Sequence, residues 1–289
     1  MHWADYTAQR LMERGDEQVS ASGITPSGEF HIGHLREILS AEMIHRACLD
    51  AGMSSKYIFI VDSMDPLRRV YDFLSPEYEQ FIGCPLAYIP APDEDGSPGD
   101  GSVTYADHFL SPFLDSLEQI GVRPEVVMNH ETYERGLFAE YIDSAITNRE
   151  EIRSIIQQIS GRELPHDWFP YNPMGSGGSM DGVTVTGYEK PYVVWRDSSG
   201  NEGKSDIRKA HGKMPWRVDW AARWVIHGIT CEPAGKDHGA AGGSYDTGIP
   251  ICRLLGGNPP DKIVYEWIQL KGMGPMSSSS GLTLSLIHI

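Results

Sequence analysis

Several signatures of common enzyme classes are missing from this chain. There is no Gly-x4-Gly-Lys-Ser/Thr phosphate loop, and no Gly-x-Gly-x-x-Gly follows a strand pattern. Neither His-Glu-x-x-His nor Gly-x-Ser-x-Gly occurs. These absences argue against a P-loop kinase, a dinucleotide-dependent dehydrogenase, a metalloprotease and an α/β-hydrolase. Cysteine is scarce: Cys48, Cys84, Cys231 and Cys252 lie far apart with no Cys-x-x-Cys pair. That spacing argues against a disulfide framework and a structural zinc, and predicts reduced thiols in the cytoplasm. No run of eighteen apolar residues exists, and Met1-His2-Trp3-Ala4-Asp5 is not the basic-then-apolar start of a secretory signal. Positive charge is also short: 24 Lys and Arg stand against 40 Asp and Glu, a formal net charge of −16. A broad basic surface for nucleic acid is therefore not expected, and a small cationic substrate would suit an acidic pocket.

What is present reads as a globular α/β chain. Its 289 residues, 40% hydrophobic and 22% charged, suffice for a sizeable core in one large or two smaller domains. The most informative stretch is Gly23-Ile24-Thr25-Pro26-Ser27-Gly28-Glu29-Phe30-His31-Ile32-Gly33-His34. A strand pattern (residues 18–22) leads into it. A helix pattern with a Leu35, Ile38, Leu39, Met43, Ala47 stripe follows, then an apolar strand over residues 56–61. This is a βαβ unit whose turn and Asp62 fall at the C-terminal strand edge, where such folds bind ligands. Helix N-termini hold anions, imidazoles can donate to phosphate oxygens, and glycines admit a flat base.

Further on, helices are expected over residues 4–14, 109–120, 134–160, 216–227 and 243–255. Strands are expected over residues 125–128, 183–186, 192–195, 230–233 and 263–270, with a solvated loop over 85–105.

His31-Ile32-Gly33-His34 resembles the HIGH signature of class I aminoacyl-tRNA synthetases. With Ser22 to Gly28 before it and Leu35-Arg36-Glu37 after it, the run resembles the class I, archaeal-type lysyl-tRNA synthetases. Asp62-Ser63-Met64-Asp65-Pro66-Leu67-Arg68 and Gly235-Lys236-Asp237-His238 match further stretches of that family. The resemblance runs from Trp3 to about Leu284.

It implies a Rossmann-like nucleotide-binding parallel sheet interrupted by a connective insertion. The halves would be residues 1–130 and 215–289, with the insertion at 131–214. The family's zinc-knuckle cysteines are absent from that insertion, so no metal ligands are expected there.

The resemblance also implies a reaction. Lysine attacks the α-phosphate of ATP, with Mg²⁺ on the phosphates, and the lysyl group passes from its adenylate to tRNA(Lys). ATP would be held by Pro26, Gly28, His31, Gly33, His34, Gly235, Asp237, Gly242 and Met276. His31 and His34 would stabilise its phosphates, and Asp237 suits ribose hydroxyls. Gly23 and Thr25 would face the amino acid, with Trp220, His238 and Tyr265 closing the pocket. Asp62, Asp65 and Asp219 are candidates for its ammonium.

Lys271-Gly272-Met273-Gly274-Pro275-Met276-Ser277-Ser278-Ser279-Ser280 stands where the family carries its mobile signature loop. Lys271, Ser277, Ser278 and Ser279 are its catalytic candidates, but Pro275 replaces the expected lysine. The family continues into a helical anticodon-reading domain. A catalytic fragment with weakened tRNA binding and a non-native end after Ser285 is therefore expected. Two alternatives remain: an adenylate-forming paralogue with another acceptor, and a non-catalytic nucleotide- or amino-acid-binding module.

Overall fold

The computed structural model describes residues 1–270 and 274–275. After helix α1 (Trp3–Met12) come strand β1 (Glu17–Ile24), helix α2 (Ile32–Asp50) and strand β2 (Ser54–Val61). β1 and β2 run parallel in register from Glu17 opposite Ser54 to Ile24 opposite Val61. Helix α3 (Tyr105–Gln119) then leads to β3 (Glu125–Met128), which adds in parallel to β2. The middle of the chain holds α4 (Asn129–Glu134), α5 (Ala139–Thr147) and α6 (Arg149–Ser160). It continues with β4 (Asn172–Pro173), β5 (Thr184–Glu189), β6 (Tyr192–Arg196), β7 (Glu202–Asp206) and β8 (Gly212–Lys213). Helix α7 (Trp216–Ile226), β9 (Cys231–Gly235), the single turn α8 (Lys236–Gly239), α9 (Ser244–Leu254) and β10 (Asp261–Tyr265) follow. A short hairpin, β11 (Gln269–Leu270) with β12 (Gly274–Pro275), ends the described chain.

The main sheet is parallel, in the order β10-β9-β1-β2-β3. The chain runs outward from β1 to β3, then returns to build the other flank from β9. The boundary between β1 and β9 is thus a topological switch point, where ligand crevices form beyond the strand ends. β1 meets β9 at Ser20 opposite Cys231.

Both faces of the sheet are covered. In β2, Ile58 and Ile60 enter one apolar cluster, with α5, α6, α7 and α9. Tyr57, Phe59 and Val61 enter another, with α2 and α3. That two-residue alternation explains why β2 is apolar at every position from Tyr57 to Val61, after its polar start at Ser54, Ser55 and Lys56. A third cluster packs Ala4, Ala8 and Leu11 of α1 on Ile44 and Cys48. All four cysteines are buried and free. No described helix is long and apolar enough to cross a membrane.

Several expectations change. The buried stripe of α2 includes Ile38, Ala41, Ile44 and Ala47, whereas Met43 is exposed. α3 starts earlier than its apolar pattern because Thr104 caps it, accepting from the Asp107 amide at 3.1 Å. The helix expected over 134–160 is two helices, α5 and α6, set off from the end of α4. Gly136 breaks the chain between α4 and α5 in a left-handed conformation (φ 73°), and a Cβ there would lie 3.0 Å from the Arg208 carbonyl oxygen. The strand expected over 263–270 divides into β10 and β11. The middle segment gains a third antiparallel strand, β7, beside β6.

Candidate active site

Beyond the strand ends at the switch point lies a cavity of about 1060 Å³. Its floor is the end of β1. The Gly23 amide donates to Glu37 Oε1 at 2.9 Å, and Tyr265 donates to Glu37 Oε2 at 3.1 Å. A side chain built on Gly23 would meet Arg223, Asp62 and Glu232 at 3.6–3.8 Å, so three charged groups surround this backbone.

The His31 turn forms one wall. His31 is the N-cap of α2, and its Nδ1 accepts from the Gly33 amide at 3.0 Å. His34 Nδ1 accepts from the His31 amide, also at 3.0 Å, and the rings stack with centroids 3.9 Å apart. Both Nδ1 atoms therefore act as acceptors, which places the ring protons on Nε2. Gly33 is required sterically, because a Cβ there would lie 2.7 Å from His31 Cε1. Burial lowers the pKa of both rings, and with the neighbouring His31 it takes His34 to about 3. They are neutral Nε2–H donors at physiological pH, suited to phosphate oxygens.

Under the turn, acidic groups outnumber basic ones. The buried ammonium of Lys213, from β8, pairs with Asp65 Oδ1, while Asp65 Oδ2 accepts from Thr25 Oγ1 at 2.9 Å. Burial alone would raise Asp65, but Lys213 and Thr25 overcome it and hold the carboxyl below its usual range. Arg223 Nη1 donates to Asp62 Oδ1 at 2.6 Å, and its Nε lies 2.9 Å from Asp219. Burial still leads at Asp62 and lifts it to about 6. Glu37 and Glu232 have no cation in contact among the described residues. Burial raises both, Glu37 to about 8.

Aromatic rings close the other side. Trp216, Trp220 and Trp224 step along α7, with centroid separations of 6.0 and 5.2 Å. Trp220 lines the cavity, as do Trp216 and His238, whose rings are 5.3 Å apart. Trp224 is core, donating to Glu232 Oε2 at 2.6 Å. Asp237 Oδ1 accepts from Trp267 Nε1 at 3.2 Å. Arg36, Arg68, Arg69, Arg162 and Arg217 also reach the cavity wall, so an acidic chain places basic groups here.

Of the residues singled out from sequence, Gly23, Thr25, His31, Gly33, His34, Asp62, Asp65, Trp220, Gly235, Asp237, His238 and Tyr265 line this one cavity. Four do not. Pro26 and Gly28 are buried in the turn, and Gly242 is an exposed loop residue whose amide donates to Asp246. Asp219 is fully buried behind Arg223, and Tyr133 donates to it at 2.5 Å, so it cannot contact a ligand's ammonium directly. Lys271, Met276, Ser277, Ser278 and Ser279 lie outside the described residues.

Sequence reasoning missed Glu37, Lys213, Arg223 and Glu232. The signal was charge inside apolar elements: Asp219 and Arg223 four apart in a Trp/Ala helix, and Glu232 in a buried strand.

The family model described as tRNA synthetases class I (K) matches residues 1–289. A lysine–tRNA ligase of Archaeoglobus fulgidus is 45% identical over 286 residues, covering 98% of this chain and 57% of that protein. A lysine–tRNA ligase of Picrophilus torridus is 44% identical over 286 residues, covering 98% of this chain and 55% of that protein. This chain thus spans a little over half the length of these relatives. Among solved structures, a tyrosyl-tRNA synthetase of A. fulgidus complexed with L-tyrosine aligns with TM-score 0.49 and 15% identity. That alignment covers 97% of this chain and 65% of the other.

Proposed function

The chain belongs to the class I lysine-type tRNA synthetases, and from that membership we propose that it activates lysine with ATP for transfer to tRNA(Lys). The observation that carries this reading is one cavity joining two neutral Nε2–H imidazoles to a half-buried Glu37 that has no cation in contact among the described residues. The first suits a phosphate and the second an ammonium.

In this reading Glu37, aligned by the Gly23 amide and Tyr265, receives the lysine ε-ammonium. Trp220 and His238 flank the aliphatic stem, and Thr25 is fixed toward the amino acid by Asp65. Asp62 and Asp65 are occupied by Arg223 and Lys213, so the incoming charge is directed to Glu37. The lysine carboxylate attacks the α-phosphate in line and pyrophosphate leaves. Positioning and hydrogen-bond donation to the phosphate oxygens from His31 and His34 supply most of the acceleration. Asp237 takes the ribose hydroxyls. Mg²⁺ accompanies ATP, neutralising phosphate charge. The N–H donors at the His31 turn fit phosphate oxygens rather than a metal. The serine-rich segment from Lys271 is assigned to the pyrophosphate end of ATP. We place the reaction in the cytoplasm, with translation. Charging of tRNA(Lys) with labelled lysine, followed by identification of the ester, tests the transfer step.

A further inference from the structure

Five arginines of the cavity wall play no part in the reaction as proposed: Arg36 lies over the Tyr265 ring, Arg69 over the Tyr71 ring and Arg68 beside Asp65, which leaves Arg162 and Arg217. Arg217 is the second residue of α7 and Arg162 follows Gly161, the cap of α6. Both line the cavity. The Arg217 guanidinium lies 4.5 Å from the centroid of the Trp216 ring, which fixes its direction. Its Nε is buried and has no hydrogen-bond partner among the described residues. Neither arginine has a carboxylate within 4.0 Å among those residues. Burial and the nearby Arg162 charge together lower Arg217's affinity for its proton. By contrast, Arg223 in the cavity wall and the buried Lys213 beneath it are both paired with carboxylates. A chain with 40 acidic residues has nonetheless left two neighbouring guanidiniums uncompensated. Their repulsion is relieved by an anion, and their planar forks match phosphate oxygens.

We propose that Arg162 and Arg217 form a phosphate-binding subsite in the cavity wall, separate from the histidine pair of the α2 turn. Only the choice of ligand rests on the lysine-activation reading. That reaction brings two sources of phosphate, the nucleotide and the phosphodiester chain of the acceptor RNA. Arg162 is exposed at the rim, which favours the RNA strand entering from outside.

The test measures anisotropy of a labelled single-stranded RNA ending in CCA, and calorimetric titration with ATP. Arg162→Gln, Arg217→Gln, Arg217→Lys and the double Gln variant are compared with the parent. The double variant is expected to lose at least about tenfold in affinity for the RNA, with Arg217→Lys intermediate. The slope of log affinity against log salt should fall by about 0.7 for each arginine removed. Loss toward ATP instead of RNA keeps the subsite and assigns it to the nucleotide.

Affinities for both ligands within about twofold of the parent, in a double variant with the parent's melting temperature, overturn the proposal. So does a parent that binds neither. Should the double variant not fold, Arg162→Gln decides alone, because its side chain is exposed. A parent lacking lysine-dependent pyrophosphate exchange overturns the activation reading, yet leaves the binding result standing.

Discussion

The ammonium of Lys213 pairs with the carboxylate of Asp65 although the two residues lie 148 positions apart. Lys213 is 3% exposed, Asp65 6%, and Asp65 holds Thr25 through its second oxygen. The middle of the chain thereby fixes the turn after β1. Lys213→Met leaves the buried Asp65 carboxylate with only the Thr25 hydroxyl and the exposed Arg68 guanidinium, 3.9 Å away, and is expected to cost about 3 kcal/mol of stability. Adding Asp65→Asn should recover part of that loss. Chemical denaturation of the parent and the single and double variants checks the order. A Lys213→Met protein as stable as the parent contradicts the pairing.

His34 is half-buried, neutral and aligned by the His31 amide, so it is a preorganised donor rather than a charge. His34→Ala should lower lysine-dependent pyrophosphate exchange by roughly 10²–10³-fold, as for loss of one such donor. The fall should appear in kcat more than in the KM for lysine. An unchanged rate removes His34 from the mechanism.

The same depressed pKa has a consequence for stability. An unfolded histidine binds a proton near pH 6.5, whereas folded His34 resists protonation down to about 3. Between those values the unfolded state holds more protons, so this contribution is complete above pH 6.5 and lost as pH falls. Relative to His34→Asn, the parent should lose on the order of a few kcal/mol between pH 6.5 and pH 3. A constant difference across that window contradicts neutral burial.

Glu37 behaves oppositely. Burial, countered by the Gly23 amide and Tyr265 but reinforced by Glu232 and Asp62, raises it to about 8. The folded state holds this proton between pH 4.5 and about 8, so its contribution to stability declines as pH rises through that range. An arriving ammonium favours the ionised carboxylate. Lysine binding at pH 7 should therefore release up to about one proton, and affinity should rise toward pH 8. Calorimetry in buffers of different ionisation enthalpy measures the release, and Glu37→Gln should abolish it. Release unchanged in that variant assigns the ammonium elsewhere.

Much of the fold was legible because its signals are local. The apolar run of β2 reflects burial on both faces, and the His31 turn follows from its glycines and capping histidines. Boundaries failed where a distant neighbour decides them, as at Gly136, where the Arg208 carbonyl leaves no room for a side chain. The site was legible at its rim and hidden at its floor. Asp62 and Asp65 directly follow β2 in sequence, so their place at the cavity is legible from the βαβ pattern. Their counterions, Arg223 and Lys213, come from α7 and β8, and only the folded chain brings them together. Asp219 was chosen for its charge, yet Arg223 and Tyr133 enclose it.

The most direct test is lysine-dependent ATP–pyrophosphate exchange by this chain, with the other amino acids as controls. Exchange supported by lysine, abolished in Glu37→Gln and strongly reduced in His34→Ala, is the predicted result. Exchange supported equally by other amino acids, or absent from a folded chain that binds both ATP and lysine, contradicts the account.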